Sequence, residues 1–338
     1  MTDAPVHDAL LVDLDGTVYA GPAAIPGAVE ALEAARERGR TVSYVTNNAS
    51  RAPAAVSEHL TELGLTVTED DVVTSAQAGA AVVAGQLDPG AKVLVLGTDA
   101  LADEITGVGL TPVRAEDDGP VAVVQGHSPD TGWRQLAEAA LALDRGVVWV
   151  ACNVDPTLPS ERGFLPGNGS MVAALRHASG REPQVAGKPA APLLRQAMDR
   201  VGASHPLVIS DRLDTDIAGG HAVEADSLLV LTGVSTAADV LAAVPDQRPT
   251  YLAADLAVLG DVESARVGRD DPWTARVDDG ALVLGGDGGD AVAALRVLCA
   301  SWWASDGEGA PALRADGDAA AQVLQELGLV VDRGPTPS

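Results

Sequence analysis

The sequence predicts an α/β protein with a Rossmann-like parallel sheet core, an inserted α/β domain and a small C-terminal α/β extension. Two observations support this fold class. Apolar runs of strand length alternate with amphipathic runs of helical length, which is the pattern of βαβ units. The apolar runs are also short and continuous, as expected for parallel strands that helices cover on both faces. At 338 residues, 46% of them hydrophobic, the chain is long enough for about two globular domains.

The core is predicted from two separate stretches of the chain, residues 1–74 and 186–260. The first contains a strand in "ALLVDLD", a helix in "IPGAVEALEAARERG", a strand in "TVSYVTNNA" and a helix in "PAAVSEHLTELG". Pro26 lies near the start of the first helix and Gly39 after its end, as is typical of helix termini. The second stretch contains a helix in "PAAPLLRQAMDRVG" and strands in "HPLVISDRLDTD" and "DSLLVLTG".

The insertion, residues 75–185, has its own alternation of strands and helices. Its strands are predicted in "AKVLVLG", "PVAVVQG" and "VVWVACN", and its helices in "TDALADEITGVG", "WRQLAEAALALDRG" and "GSMVAALRHASG". This pattern indicates a second α/β unit placed inside the first.

The extension, residues 261–338, predicts a hairpin in "TARVDDGALVLGG", a helix in "AVAALRVLCASWWA", a short strand near "PALRA" and a helix in "AAAQVLQELG". We interpret "GGDGGD" as a hairpin turn. The segment resembles half of an acetyltransferase-like fold, but no pyrophosphate-binding glycine loop accompanies it, which argues against an independent acyl-CoA activity. Because small α/β pieces expose an apolar face, we expect it to pack on the core or on a second subunit. A homo-oligomer is compatible with the second arrangement.

Composition excludes several function classes. With 48 acidic and 22 basic residues the net charge is −26, which argues against nucleic acid and anionic membrane surfaces as partners. No 18-residue uncharged apolar span is present, and the N-terminus lacks the pattern of a signal peptide, so we expect neither a membrane protein nor an exported one. Two cysteines without paired spacing indicate neither a disulfide framework nor a zinc site. A cytoplasmic location fits best.

Two aspartates at the end of the first strand suggest a functional site. Asp13 and Asp15 are two residues apart, so on a strand their side chains project from the same face. Two like charges held this close require compensation by a metal ion, an elevated pKa or a neighbouring cationic side chain.

Polar residues end two further strands of the predicted core. Thr46 and Asn47 end one of them, and Ser210 and Asp211 end the other. Open α/β sheets bind ligands at the carboxyl ends of their strands, so we expect these groups to converge with the aspartate pair. For Thr46 alone, a helix N-cap is the plainer interpretation, because a helical run follows it.

Lys188 and the acidic run after the later strand add two more candidates. The chain has only two lysines, and Lys188 precedes a helix start, where positive charge is locally unfavourable and so suggests a function in binding an anion. In "SDRLDTD", Asp211, Asp214 and Asp216 are either the residues of a capped loop or oxygen ligands for a hard cation.

The ordered motifs "DLDGTVY", "VTNNAS", "GKP" and "SDRLDTDI" resemble the haloacid dehalogenase-like phosphatases. The similarity is to class IIA, in which a large cap follows the second motif, and it covers roughly residues 8–255. That class includes nitrophenylphosphatases and phosphatases of phosphoglycolate, pyridoxal phosphate and glycerol 3-phosphate. Ser210 departs from the motif, where the family usually has glycine, and we expect activity to survive this change.

The resemblance implies roles for individual residues. Asp13 would be the nucleophile that forms an aspartyl-phosphate, and Asp15 the general acid and then the base. Thr46 and the Asn47 backbone would hold phosphoryl oxygens, and Lys188 would neutralise the phosphate and the nucleophile.

The resemblance also implies Mg²⁺, with Asp13, the backbone carbonyl of Asp15 and Asp211 as ligands and Asp216 in support. A phosphate dianion cannot approach two carboxylates without a cation between them, which is the physical reason for the metal.

The substrate is expected to be a small phosphomonoester, because the cap covers the site of such enzymes. Asn153 and Asp155 of the cap are candidates for reading the leaving group. Glycerol 3-phosphate or phosphoglycolate is the first expectation, and nucleotides and sugar phosphates are the alternatives. The alternative of another class is a non-catalytic regulatory or binding module on the same fold.

Overall fold

The structure, a computed structural model, describes residues 7–160, 162–269, 272–286, 288–305 and 309–330. The first six residues of the predicted core, Asp287 of "GGDGGD" and the tail from residue 331 lie outside the described residues.

Each strand and helix predicted above is present, and its bounds lie within the quoted run or one residue beyond it. The strands are β1 (Ala9–Val12), β2 (Tyr19–Ala20), β3 (Ala23–Ala24), β4 (Thr41–Thr46), β5 (Val72–Thr74), β6 (Lys92–Leu96), β7 (Thr111–Val113), β8 (Ala122–Gln125), β9 (Val148–Ala151), β10 (Thr157–Ser160), β11 (Gly163–Pro166), β12 (Gln184–Val185), β13 (Pro206–Ser210), β14 (Asp226–Val230), β15 (Tyr251–Ala253), β16 (Thr274–Asp278), β17 (Ala281–Gly285) and β18 (Ala312–Asp316). The helices are α1 (Ala28–Glu37), α2 (Pro53–Glu62), α3 (Ser75–Ala84), α4 (Asp99–Gly107), α5 (Trp133–Asp144), α6 (Asn168–Ser179), α7 (Ala191–Val201), α8 (Ala218–Ala222), α9 (Ala237–Leu241), α10 (Ala291–Ala304) and α11 (Asp318–Glu326).

The chain divides into two compact units. The first unit comprises Met1–Ala20, Ala24–Arg40 and His205–Ser338, and the second comprises Gly21–Ala23 and Thr41–Ser204. The predicted boundaries of core, cap and extension were placed from sequence motifs, whereas the two units are defined by their compactness. The predicted boundaries therefore stay a prediction.

Parallel strands form the centre of the first unit, in the order β15-β14-β13-β1. All residues of β1, β13 and β15 are buried, which explains why their sequences are short unbroken apolar runs. In the register of β1 and β13, Val12 lies opposite Ile209, so the two strands end at the same level.

The extension belongs to the first unit and shares its hydrophobic core. β16 and β17 form the predicted antiparallel hairpin, and β18 pairs with β17 in parallel. One cluster of buried side chains includes Leu229 and Leu252 of the parallel strands together with Leu284, Leu298 and Leu324 of the extension. The expectation that the segment packs on the core is therefore confirmed.

The interpretation of "GGDGGD" as a hairpin turn is wrong. β17 ends at Gly285, and the Asp290 carboxylate accepts a hydrogen bond from the Ala293 N–H at 2.7 Å, which caps α10. The stretch connects a strand to a helix because a parallel partner, β18, can be reached only through a crossover. The hairpin turn lies at Asp279 and Gly280, both with positive φ.

The second unit contains a five-stranded parallel sheet in the order β12-β9-β8-β6-β7, and β4 pairs in parallel with β5. Short strands such as β5, β7 and the hairpin β10-β11 were not predicted, because runs of three or four residues carry little periodicity. In the described part of the chain, no helix is long and apolar enough to span a membrane.

Candidate active site

In the first unit, the aspartate pair follows β1 directly. The Asp13 N–H donates to the Ile209 carbonyl at 2.9 Å, which extends the pairing of β1 with β13 by one residue. Asp13 is 9% exposed and Leu14 is fully buried, whereas Asp15 is exposed. Burial does not alternate over these three residues, so the shared face predicted for Asp13 and Asp15 stays a prediction. Asp13 and Asp211 thus follow neighbouring strands, as predicted; Thr46 and Asn47 belong to the second unit, and their convergence stays a prediction.

Glycines allow the chain to pass close to Asp211. Gly16 has φ +82°, in the region that favours glycine, and a Cβ added there would overlap the Asp211 carboxylate. A Cβ at Gly233 would overlap the same carboxylate. The glycine in "DGT" is therefore required by both its backbone conformation and its neighbour.

Asp211 is a fully buried carboxylate held by two donors. The Val234 N–H donates to Oδ2 at 2.6 Å and the Thr17 hydroxyl donates to Oδ1 at 3.4 Å. Burial raises the pKa of Asp211, and the Val234 N–H acts in the opposite direction. A carboxylate in this position favours a nearby cation, because burial of an uncompensated charge is costly.

The remaining residues of the acidic run have separate environments. Asp214 is exposed and forms a bidentate ion pair with Arg212, at 3.0 and 2.8 Å. Asp216 is 2% exposed, in a π-helical turn at Leu213–Ile217, and accepts a hydrogen bond from the Thr215 hydroxyl at 2.8 Å. Ser210 is buried, and its hydroxyl accepts from the Arg212 N–H at 3.2 Å.

In the second unit, Thr46 is the last residue of β4 and is not a helix N-cap. Its hydroxyl accepts a hydrogen bond from the Asn48 N–H at 3.1 Å, whereas α2 begins at Pro53 with Ala52 at the N-cap position. The N-cap interpretation was wrong because six residues separate the strand from the helix, a distance that local sequence does not reveal.

Lys188 is 1% exposed, which is unusual for a lysine. Its ammonium donates to the Val45 carbonyl at 2.8 Å. Its backbone N–H donates to the Asn47 side-chain oxygen at 2.8 Å, and the Asn47 amide donates to the Lys188 carbonyl at 3.0 Å. A Cβ at Gly187 would lie 2.6 Å from the Asn47 side-chain oxygen, so the glycine before Lys188 permits this close approach.

The two cap candidates are differently placed. Asn153 is 4% exposed, and its amide donates to the Asn47 carbonyl at 2.7 Å. The Asp155 carboxylate is half-buried and accepts from the Asn47 amide at 3.3 Å. Sequence reasoning did not identify Asn168 or Ser75, which extend these contacts.

The predicted metal ligands have suitable chemistry for Mg²⁺. Two carboxylates, Asp13 and Asp211, and the Asp15 backbone carbonyl are all oxygen donors, which hard divalent cations prefer. No group of three or more His, Cys, Asp or Glu side chains within the described ranges is arranged to hold a metal ion. The predicted set contributes only two side chains, so this finding does not conflict with it, and the burial of Asp211 supports it.

Three protein-family models together match most of the chain. A model of the haloacid dehalogenase-like hydrolases matches residues 10–111, and a second model of such hydrolases matches residues 185–259. A model of a GCN5-related N-acetyltransferase-like domain matches residues 271–329, in the extension.

Individual relatives cover more of the chain. The chain is 51% identical to a D-glycerol 3-phosphate phosphatase of Mycobacterium tuberculosis over 309 residues. These residues cover 89% of this chain and 87% of the relative. The chain is 38% identical over 253 residues to an acid sugar phosphatase of Staphylococcus aureus, covering 74% of this chain and 95% of the relative.

Two solved structures of phosphatases are also similar to this chain. The glycerol phosphate phosphatase of Mycobacterium tuberculosis in complex with magnesium has a TM-score of 0.91 and 49% identity, covering 96% of this chain and 98% of that one. A p-nitrophenyl phosphatase from Archaeoglobus fulgidus has a TM-score of 0.69 and 32% identity, covering 77% of this chain and 100% of that one.

Proposed function

Because the chain belongs to the haloacid dehalogenase-like hydrolases, we propose that it is a Mg²⁺-dependent phosphatase whose substrate is D-glycerol 3-phosphate. One observation carries the choice of substrate. The 51% identity to the mycobacterial D-glycerol 3-phosphate phosphatase extends over 309 residues, whereas the match to the acid sugar phosphatase ends after 253.

Asp13 is the nucleophile in this proposal. A carboxylate oxygen of Asp13 forms a bond to phosphorus while the bond from phosphorus to the leaving oxygen breaks. Water then attacks the phosphorus, which releases inorganic phosphate and restores the carboxylate. The hydrogen bond from the Asp13 N–H to the Ile209 carbonyl supports this role, because it fixes the backbone of the attacking residue.

Asp15 protonates the leaving alkoxide and then accepts a proton from the attacking water. Its exposure supports this role, since a general acid must exchange protons with solvent between the two steps. The positive φ of Gly16 turns the chain directly after Asp15.

Thr46, the Asn47 backbone and Lys188 bind the phosphoryl group. The burial of Lys188 supports this role, because an ammonium held out of solvent favours an anionic partner. Asn47 links the second motif to the third, since its side chain is hydrogen-bonded to both the N–H and the carbonyl of Lys188.

Asp13, Asp211 and the Asp15 carbonyl would hold Mg²⁺, with Asp216 in support. When bound, the ion supplies positive charge that offsets the repulsion between the carboxylates and the phosphate dianion.

Two alternatives remain testable. The similarity to the acid sugar phosphatase favours a sugar phosphate as second candidate substrate, ahead of phosphoglycolate and nucleotides. A non-catalytic binding module is disfavoured by the presence of Asp13, Lys188 and Asp211 in their motifs.

Phosphate release from a panel of phosphomonoesters tests the proposal. The purified full-length chain with Mg²⁺ is expected to show its highest kcat/KM with D-glycerol 3-phosphate among glycerol, glycolate, sugar and nucleoside phosphates. Release should stop in EDTA and return with excess Mg²⁺. A higher kcat/KM for a sugar phosphate would replace the substrate, and no release from any compound would favour the binding module.

A further inference from the structure

The main-chain carbonyl of Asn47 is held by two side chains from elsewhere in the second unit. The Asn153 amide donates to it at 2.7 Å and the Ser75 hydroxyl at 2.5 Å. Ser75 is fully buried and Asn153 is 4% exposed. Both donors are therefore shielded from water, which strengthens hydrogen bonds of this kind.

The side chain of Asn47 is fixed as well. Its oxygen accepts from the Lys188 N–H at 2.8 Å, and its amide donates to the Lys188 carbonyl at 3.0 Å. The same amide lies 3.3 Å from both carboxylate oxygens of Asp155. The side chain of Asn47 thus helps to hold the Lys188 backbone in place.

Asn168 holds the loop that carries Asn153 and Asp155. It is 2% exposed at the start of α6, and its amide donates to the Asn153 carbonyl at 2.7 Å. The Gly169 N–H donates to the Asp155 carbonyl at 2.8 Å, and a Cβ at Gly169 would overlap the Val154 carbonyl. The start of α6 is therefore in direct contact with this loop.

We propose that Asn153 and Asn168 are positioning residues, which hold Asn47 and Lys188 in the geometry that binds the phosphoryl group. This inference rests on the proposed function, and it gives Asn153 a role different from reading the leaving group. The side chain of Asn153 is already committed, since its amide bonds to Asn47 and its oxygen accepts from the Asp155 N–H at 3.3 Å. At 4% exposure it presents little surface to a substrate.

The two roles predict different kinetics. A residue that positions Asn47 acts on the phosphoryl group, which all substrates share, whereas a residue that reads the leaving group changes the ratio between substrates. We therefore compare D-glycerol 3-phosphate with p-nitrophenyl phosphate, and measure competitive inhibition by inorganic phosphate, which has no leaving group.

Asn153→Ala and Asn168→Ala are expected to lower kcat/KM for both substrates by the same factor, about tenfold, as for the loss of one buried hydrogen bond. The inhibition constant of inorganic phosphate should rise by a similar factor. Ser75→Ala, which removes only a hydroxyl group, should act in the same direction with a smaller effect, about threefold. The Ser75→Ala variant therefore still tests the inference if an asparagine variant fails to fold.

Arg181→Met is the matched control. Arg181 also donates from its side chain to two carbonyls of the second unit, those of Leu143 at 3.0 Å and Val147 at 2.7 Å, and it has no contact with Asn47. The variant should lower the melting temperature while leaving both kcat/KM values and the phosphate inhibition constant unchanged.

Three outcomes contradict the inference. Unequal losses of kcat/KM for the two substrates would show that these residues recognise the leaving group. Unchanged kinetics in every folded variant would show that they contribute only to stability. In both cases an active wild-type enzyme leaves the proposed function intact. If the wild-type chain hydrolyses no phosphomonoester, the proposed function and this inference fail together.

Discussion

Asp211 and Lys188 are ionisable side chains withdrawn almost completely from solvent, with exposures of 0% and 1%. Folding removes both from water, which costs free energy unless each is compensated. Asp211 receives two hydrogen bonds, and the Lys188 ammonium donates to the Val45 carbonyl. Retaining such residues is typical of sites that bind charged ligands.

At the residue scale, Asp13→Asn should abolish turnover without unfolding the protein. The amide is nearly isosteric with the carboxylate but cannot attack phosphorus, so we expect kcat to fall at least about a thousandfold. Phosphate release gives kcat, and circular dichroism and the melting temperature check the fold. Asp214→Asn, an exposed residue paired with Arg212, is the control and should keep kcat. Substantial turnover by Asp13→Asn would contradict covalent catalysis at Asp13.

Asp211→Asn should separate metal binding from stability. Without Mg²⁺ the variant should melt at the same temperature as the wild type or higher, because it no longer buries a charge. Saturating Mg²⁺ should stabilise the wild type, by about 2.7 kcal/mol at a hundredfold excess over Kd, and should not stabilise the variant. Thermal shift assays with and without Mg²⁺ measure this difference. An equal Mg²⁺ shift in both proteins would remove Asp211 from the ligand set.

At the scale of elements, a polar cluster of Tyr251, Glu263 and Arg266 connects the turn at Val262–Ala265 to β15. Glu263 accepts from the Tyr251 hydroxyl at 2.6 Å and from Arg266 Nε at 2.9 Å, and the Arg266 guanidinium lies 4.6 Å from the centre of the Tyr251 ring. The Arg266 guanidinium, and then the Tyr251 hydroxyl, lower the pKa of Glu263 to about 2. This cluster joins the last strand of the parallel sheet to the first residues of the extension.

Glu263→Gln should therefore have a pH-dependent effect on stability. A carboxylate with a lowered pKa in the folded state stabilises the protein above its ordinary value of 4.5, and this stabilisation is lost as pH falls towards 2. Glu263 and Arg266 are partly exposed, so we expect a loss of only about 0.5–1 kcal/mol at pH 7. Denaturant unfolding at pH 7 and pH 3 should show the two proteins converging at the lower pH. Glu182→Gln, in an exposed pair with Arg176, should show a smaller difference at pH 7. A difference for Glu263→Gln that grows as the pH falls would contradict the assignment.

At the scale of the whole molecule, the extension is part of the hydrophobic core of the first unit. α10 contributes Leu295 and Leu298, both fully buried, and Arg296 donates to the Leu252 carbonyl of β15 at 3.0 Å. The Arg248 guanidinium lies 5.4 Å from the centre of the Trp303 ring. Removing the extension would therefore uncover apolar side chains that the rest of the unit needs covered.

Leu298→Ala should destabilise the protein by about 2–5 kcal/mol, as for a large cavity in a packed core. Val277→Ala, in the same extension but 41% exposed, is the control and should cost less than about 0.5 kcal/mol. Denaturant unfolding measures both values, and deletion from residue 262 onward should lower solubility or melting temperature. A truncated chain with unchanged solubility and melting temperature would show that the extension is dispensable.

The sequence by itself determined the fold class, the family and the order of those strands and helices that it predicted. These are local properties, since "ALLVDLDGT" specifies a buried strand, a carboxylate pair and a tight turn through the residues themselves. The helix "AVAALRVLCASWWA" coincides with α10, because its composition and length suffice to identify it.

Only the tertiary structure decided which polar side chains support the site. Asn153, Asn168 and Ser75 are distant from Asn47 in sequence, and their alternatives as caps or loop residues are indistinguishable without the fold. The same limitation made Thr46 look like a helix N-cap, and "GGDGGD" like a hairpin turn. A residue's propensity is set by its neighbours in the chain, but its hydrogen-bond partners are set by which strands and helices pack together, and that depends on the whole sequence at once.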